Sequence, residues 1–181
     1  GDVFVAITGY ETDGHKYISK AIELGASAIV LEHVPEGGIS VPYIRVDSSR
    51  RALAQMAANY FDHPADSMTM VGITGTNGKT TTTYLLKTIL EAQGHTVGLI
   101  GTNQNMIGNE ILPTERTTPE SFELHKLFAQ MRDAGCTHVI MEVSSHSLVL
   151  DRVYGIEFTV GAFTNLTQDH LDFHKTMEAY R

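Results

Sequence analysis

Cysteine is nearly missing from this chain. Cys136 is the sole one, so no disulfide can form within the sequence, and a reducing, cytoplasmic setting fits. Basic residues are also scarce: 13 Lys and Arg stand against 21 Asp and Glu, a formal charge of −8. That balance argues against a nucleic-acid or anionic-membrane surface, which needs basic clusters. No apolar run approaches the roughly 20 residues that cross a bilayer. The longer runs, such as residues 97–100, are strand-sized. A basic segment followed by an apolar one, the mark of a signal peptide, is missing too. No internal repeat and no low-complexity tract is present. These absences leave small molecules as the expected partners, with no nucleic acid and no membrane. What is there is enough for a core: 181 residues, 42% of them hydrophobic, suit one large domain or two small ones. The first residue is Gly rather than Met, so further residues are expected upstream.

Strand-like and helix-like stretches alternate along the chain. Residues 3–7, 28–31 and 43–46 read as short buried strands. Ile18, Ala21 and Ile22 form a helical stripe that ends at Gly25, and Pro35, Gly37, Gly38 and Pro42 mark a loop. Asp47 and Ser48 are N-cap candidates for a helix whose apolar face is Leu53, Met56, Ala57, Tyr60 and Phe61. The polar stretch 62–67, with Pro64, reads as a linker, dividing the chain into domains at 1–66 and 67–181. The second domain opens with a strand at 68–73, a turn at 74–78 and a helix at 79–93. A strand at 97–100, a polar loop at 101–118, and a helix after Pro119 burying Leu124, Leu127, Phe128 and Met131 follow. Strands at 139–143 and 158–163 complete the series. The expected class is α/β: a small N-terminal α/β domain, then a mostly parallel sheet with helices on both faces.

The sharpest local signal is Gly75-Thr76-Asn77-Gly78-Lys79-Thr80, between a predicted strand and a predicted helix. That context is what a P-loop requires. Glycines let backbone N–H groups surround phosphate oxygens at a helix N-terminus. Lys79 would place its ammonium on the β- and γ-phosphates, and the Thr80 hydroxyl would ligate Mg²⁺. The general pattern asks for Gly five residues before Gly78, and that position is Ile73.

Two polar clusters occupy predicted strand ends, where ligands sit in an open parallel sheet. In Glu142-Val143-Ser144-Ser145-His146, Glu142 is placed to ligate Mg²⁺. The other reading is a solvated Glu beside a capping Ser pair. No G-x-S-x-G elbow supports a Ser/His hydrolase. The second cluster runs from Thr164 to His174. His170 and His174 are four apart, a metal-ligand spacing on a helix, though packing and capping explain them equally well. Without H-E-x-x-H a zinc protease is not expected.

Gly1-Asp2 before the first strand, Gly75-Thr76-Asn77-Gly78-Lys79-Thr80, Thr117-Thr118-Pro119, Met141-Glu142-Val143-Ser144-Ser145-His146 and the 164–174 stretch occur in this order. Together they resemble the Mur ligases of cell-wall synthesis, end to end, and the family's own loop has the G-T-N-G-K-T form. The resemblance implies an ATP-dependent amide ligase in peptidoglycan precursor synthesis. ATP phosphorylates the D-Glu carboxylate of UDP-MurNAc-L-Ala-D-Glu, and the amine of L-lysine or meso-diaminopimelate displaces phosphate. It implies that Gly75, Thr76, Asn77, Gly78, Lys79, Thr80 and Thr81 hold ATP. Lys79, Glu142 and His170 would be catalytic, with Thr80 and Glu142 on one Mg²⁺ and His170 on a second metal. Thr117, Thr118, Ser144 and Arg152 resemble residues that hold UDP-MurNAc, and Tyr10, Glu11 and Thr12 fall where the family contacts uridine. Arg116 and Leu150 depart from residues seen in some members. A carbamylated lysine and a C-terminal ligase domain are expected beyond Arg181, so that this segment alone would not complete the ligation. Two rival readings are a folylpolyglutamate synthetase-like ligase, which would open with the P-loop domain, and a P-loop module without ligase turnover.

Overall fold

A computed structural model describes residues 1–9 and 12–181. The chain divides into two compact units, Gly1–Met56 and Ala57–Arg181. The first holds β1 (Val3–Val5), α1 (Ile18–Glu23), β2 (Ala28–Leu31) and β3 (Tyr43–Arg45), with a 3-10 turn at Gly14–Tyr17 before α1. The three strands pair in parallel in the order β1-β2-β3. Ala6, Ile18, Ile29 and Leu31 form its core. Helix α2 (Ser49–Tyr60) begins where Ser48 Oγ accepts the Arg51 N–H at 3.3 Å, so Ser48 acts as its cap. Its buried face is smaller than the large apolar residues suggest. Ala54 and Ala57 are buried, whereas Met56 and Tyr60 are exposed.

The second unit contains β4 (Thr69–Thr74), α3 (Lys79–Ala92), β5 (Val97–Ile100), β6 (Asn105–Ile107), β7 (Glu110–Leu112), α4 (Ser121–Asp133), β8 (His138–Glu142), α5 (Ser145–Val149), β9 (Val160–Phe163), α6 (Leu171–His174) and α7 (Met177–Tyr180). Its six-stranded sheet has the order β7-β6-β5-β8-β4-β9. Strands β5, β8, β4 and β9 are parallel, and β6 and β7 form an antiparallel hairpin at one edge. The stretch 101–118, expected as a loop, thus holds two short strands. The expected linker contains a 3-10 turn at Pro64–Ser67.

Strand alternation sorts the sheet's side chains into two layers. Met70, Ile100, Val139 and Met141 pack with Leu124, Phe128 and Met131 of α4. Val71, Ile73, Val97 and Ile140 face Leu86 and Leu90 of α3. Full burial of Leu124, Phe128 and Met131 stabilises the unit by about 1.5–3 kcal/mol each. The same period of two carries Glu142 to the α3 face, two residues beyond Ile140. There its side chain points at the N-terminus of that helix.

Candidate functional site

The carboxyl ends of β4, β5 and β8 converge on one cavity of about 500 Å³. Thr76, Asn77, Gly78, Lys79 and Thr80 line it after β4, Thr102 after β5, and Glu142, Ser144 and His146 after β8. Thr117, Thr118, Arg152 and His170 complete the wall. The loop at 75–78 turns sharply into α3, with Gly75 at φ +123°. A side chain there would strain the backbone and meet Thr164 Oγ1 and the Asn165 backbone. Lys79 Nζ folds over its own loop, donating to the carbonyls of Gly75 at 2.7 Å and Thr76 at 3.0 Å.

The loop is bracketed by the segment that follows β9. Asn77 N–H donates to Asn165 Oδ1 at 3.0 Å, and Thr164 Oγ1 and Asn165 Nδ2 donate to the Asn77 carbonyl at 2.7 and 3.0 Å. Thr76 Oγ1 accepts the Thr167 N–H at 3.0 Å and lies 2.9 Å from the Tyr180 hydroxyl. These contacts hold the loop without filling the space above it.

Glu142 is 1% exposed, yet its carboxylate is surrounded by neutral donors. Oε1 accepts from Thr80 Oγ1 at 2.9 Å and from the Thr102 N–H at 3.0 Å, and Oε2 accepts from Thr102 Oγ1 at 3.0 Å. A buried carboxylate beside a threonine hydroxyl is an oxygen donor set that suits a hard divalent cation. The next turn is tied to the same strand end. Thr118 Oγ1 donates to the Glu142 carbonyl at 2.9 Å and accepts the Ser144 N–H at 3.0 Å. Arg152 donates to the Thr118 carbonyl at 3.1 Å and pairs with Glu120 at 2.7 Å. Its buried Nε has no hydrogen-bond partner among the described residues.

His146, His170 and His174 gather beside this cavity. The rings of His146 and His170 meet edge to face with centroids 5.0 Å apart, and His174 Nε2 lies 2.9 Å from Ser145 Oγ. Burial, reinforced by the neighbouring His170 and His174, holds the His146 imidazole below its ordinary pKa. His174 is lowered mainly by burial as well. The side chain of His170 is 41% exposed. His170 caps α6 in a left-handed conformation, so only the stretch from Leu171 onward is helical.

The cavity therefore gathers Thr76, Asn77, Gly78, Lys79, Thr80, Thr117, Thr118, Glu142, Ser144, Arg152 and His170 from the expected set. Gly75 shapes the loop from behind, and Thr81 is exposed on the first turn of α3. Thr12 belongs to the first unit, where its Oγ1 is 3.4 Å from the Tyr17 hydroxyl. Tyr10 and Glu11 lie outside the described residues. Thr102, His146 and Asn165 were not singled out from sequence. Asn165 and His146 lie inside the motifs that carry the family resemblance, but no local pattern marks Thr102.

A second group of donors, Asp13, His15 and His33, lies in the first unit. His15 Nε2 accepts the Glu32 N–H at 3.0 Å, so its proton sits on Nδ1 and goes to Asp13 Oδ1 at 2.7 Å. The rings of His15 and His33 stack 3.8 Å apart at 16°, so no nearby point lies in both ring planes. That geometry is a hydrogen-bonded bracket and not a shared coordination site. The backbone N–H and then the side chain of His15 hold the Asp13 carboxyl below its usual value.

A mostly parallel sheet with a glycine loop before α3 and a buried carboxylate on the neighbouring strand defines a P-loop α/β protein. Residues 73–181 match the Mur ligase middle domain and residues 1–61 the Mur ligase family catalytic domain, and the chain belongs to the Mur ligase family. It is 57% identical over 182 residues to the UDP-N-acetylmuramoyl-L-alanyl-D-glutamate--2,6-diaminopimelate ligase of Clostridium tetani, a match covering 99% of this chain and 38% of that protein. A solved structure of a ligase of that name aligns at a TM-score of 0.84 and 29% identity, over 99% of this chain and 36% of the other. The MurF ligase of Thermotoga maritima in complex with ADP aligns at 0.59 and 27% identity, over 99% and 38%. The chain thus spans a little over a third of the length of the curated relatives it matches. No helix among the described residues is long and apolar enough to cross a membrane.

Proposed function

We propose that this chain supplies the ATP site and part of the UDP-substrate site of an ATP-dependent ligase. That ligase adds 2,6-diaminopimelate to UDP-MurNAc-L-Ala-D-Glu. The observation that carries the reading is the 2.9 Å contact between Thr80 Oγ1, at the end of the phosphate loop, and the buried Glu142 carboxylate. The similarity to proteins named as 2,6-diaminopimelate ligases supports that amino acid in preference to lysine. The match of residues 1–61 to a Mur ligase domain favours this reading over a folate-type ligase, and the substrate-side residues of the same cavity favour it over a bare nucleotide module.

In this reading, residues 75–81 bind the triphosphate. Lys79 leaves the carbonyls of Gly75 and Thr76 and turns its ammonium to the β- and γ-phosphates. Thr80 and Glu142 would hold Mg²⁺, and His170, at the cavity rim, would contribute to a second metal. When bound, Mg²⁺ neutralises charge on the phosphate oxygens. The D-Glu carboxylate attacks the γ-phosphorus of ATP, ADP leaves, and an acyl phosphate forms. The amine then attacks the acyl carbon, and phosphate departs as the amide forms. Backbone N–H groups and Lys79 stabilise charge during the transfer by position alone. Arg152, which lines the cavity, is suited to a phosphate or carboxylate oxygen of the substrate. Thr117, Thr118 and Ser144 border the same space, and Tyr10, Glu11 and Thr12 are assigned to the uridine end.

A fluorescent ATP analogue titrated with Mg²⁺ into the intact protein tests the reading. Lys79→Ala removes two charge-assisted interactions and should weaken binding at least about a hundredfold, with little change in melting temperature. Equal affinities would sink the assignment.

A further inference from the structure

We propose that Thr102 is a positioning residue that holds the Glu142 carboxylate toward Thr80 and sets the direction of the Thr117 hydroxyl. The inference rests on the nucleotide reading above and concerns a residue that reading leaves without a role.

Strand β5 runs beside β8 with Ile100 opposite Met141, so the chain leaving β5 passes next to Glu142. Thr102 takes both carboxylate oxygens there, its N–H on Oε1 and its hydroxyl on Oε2, each at 3.0 Å. Two donors from one residue fix the plane of the carboxylate, and the Thr80 hydroxyl shares Oε1. The preceding Gly101 closes the slot, since a Cβ there would lie 2.5 Å from Oε1. Glu142 therefore has little freedom to rotate, which keeps it ready for a cation that Thr80 also binds.

The same network settles a proton direction. A carboxylate only accepts, so the single hydroxyl proton of Thr102 goes to Oε2. Thr102 Oγ1 also lies 3.0 Å from Thr117 Oγ1. With its own proton committed, Thr102 must accept there, and Thr117 donates. Thr117 is then left with lone pairs to offer the cavity. It recognises an N–H or O–H of the ligand, such as an amide or a sugar hydroxyl, and not a phosphate oxygen.

Thr102→Val keeps the side-chain shape and the backbone donor but deletes the hydroxyl, freeing Oε2 and the Thr117 proton. Thr102→Ser keeps the hydroxyl. The test titrates Mn²⁺ into the intact protein with a fluorescent ATP analogue and follows nucleotide binding, with a metal-free titration and a melting curve for each variant. Losing one hydrogen bond to a charged group should raise the Mn²⁺ needed for half-maximal binding about tenfold in Thr102→Val. The metal-free affinity should stay at the wild-type value, a split that general loss of structure would not produce. Thr102→Ser should stay within about twofold of wild type, since its hydroxyl can make the same bonds. A wild-type metal requirement in Thr102→Val overturns the proposal, as does an equal defect in the serine variant. If the wild type itself binds no nucleotide, the nucleotide reading fails and takes this inference with it.

Discussion

Gly101→Ala asks how closely the Glu142 carboxylate is confined. The added Cβ would lie 2.5 Å from Oε1, 3.2 Å from Cδ and 3.4 Å from Cγ of Glu142. Uncompressed contact starts at about 3.5 Å, so Oε1 has to retreat by about 1 Å. Gly101 does not have a positive φ, so alanine brings no backbone strain of its own. The whole effect is then steric and falls on the Glu142 side chain, hardest on Oε1. Functional groups tolerate displacements of only about 0.5 Å, and disturbing a ligand's support typically costs about 10- to 100-fold in metal affinity. Metal-dependent binding of an ATP analogue should fall by that factor. Overpacking destabilises by about 1–3 kcal/mol, and the stiffer unfolded chain offsets about 0.4–1 kcal/mol. A net loss near 1–2 kcal/mol lowers the melting temperature by about 2–8 °C. Mn²⁺ titration with the fluorescent nucleotide reads the first effect, and a calorimetric melt reads the second. An alanine variant with the metal requirement and melting temperature of wild type would show that the carboxylate has slack, and the positional argument would be wrong.

Glu142→Gln keeps the shape but replaces one acceptor oxygen with a donor. It should raise the Mg²⁺ needed for half-maximal nucleotide binding about tenfold or more, and an unchanged Mg²⁺ dependence would place Glu142 outside the metal site. His125 gives a pH dependence of stability. It is 3% exposed, its Nδ1 has no partner among the described residues, and burial, then the nearby His63, lower its pKa from 6.5 against a smaller opposing pull from Asp66. The unfolded chain takes up a proton at the ordinary value while the folded state resists it. Stability is therefore fully present above that value and is lost as pH falls below it. Urea melts from about pH 7 to pH 5 should show this fall in the wild type and a flatter profile in His125→Leu. Parallel profiles would remove His125 as the cause.

Much of the fold was legible because short apolar runs bounded by Gly and polar residues have few alternatives. Residues 28–31 and 97–100 are strands over the span the pattern marks. The hairpin of β6 and β7 was not visible, since Asn105–Ile107 and Glu110–Leu112 are too short to show an alternation. Gly108-Asn109 between them is the one signal that could have found it, being a dipeptide that suits a tight turn between two strands. In α2 the expected face holds for Ala57, which is buried, but Met56 and Tyr60 are exposed and Ala54, outside the expected stripe, is buried instead. Size and hydrophobicity rank residues, but a closely packed face can prefer the small ones.

For the candidate site the dividing line runs between local and relayed chemistry. The P-loop motif is local: its glycines, lysine and threonine lie within six consecutive residues, so their spacing alone makes it visible in the sequence. Thr102 acts only because β5 lies beside β8, a neighbour relation between distant segments that no window of sequence contains. Asn165 likewise reaches Asn77 only through the pairing of β9 with β4. Glu142 falls between these cases. Its partner Thr80 is 62 residues away, but its direction follows from a local rule. In β8 the period of two that puts Ile140 against α3 puts Glu142 there too, and Thr80 is on the first turn of that same helix. An acidic residue that continues the buried face of a strand must meet whatever begins the helix packed on that face. Here the first turn of that helix carries Thr80, directly after the glycine loop.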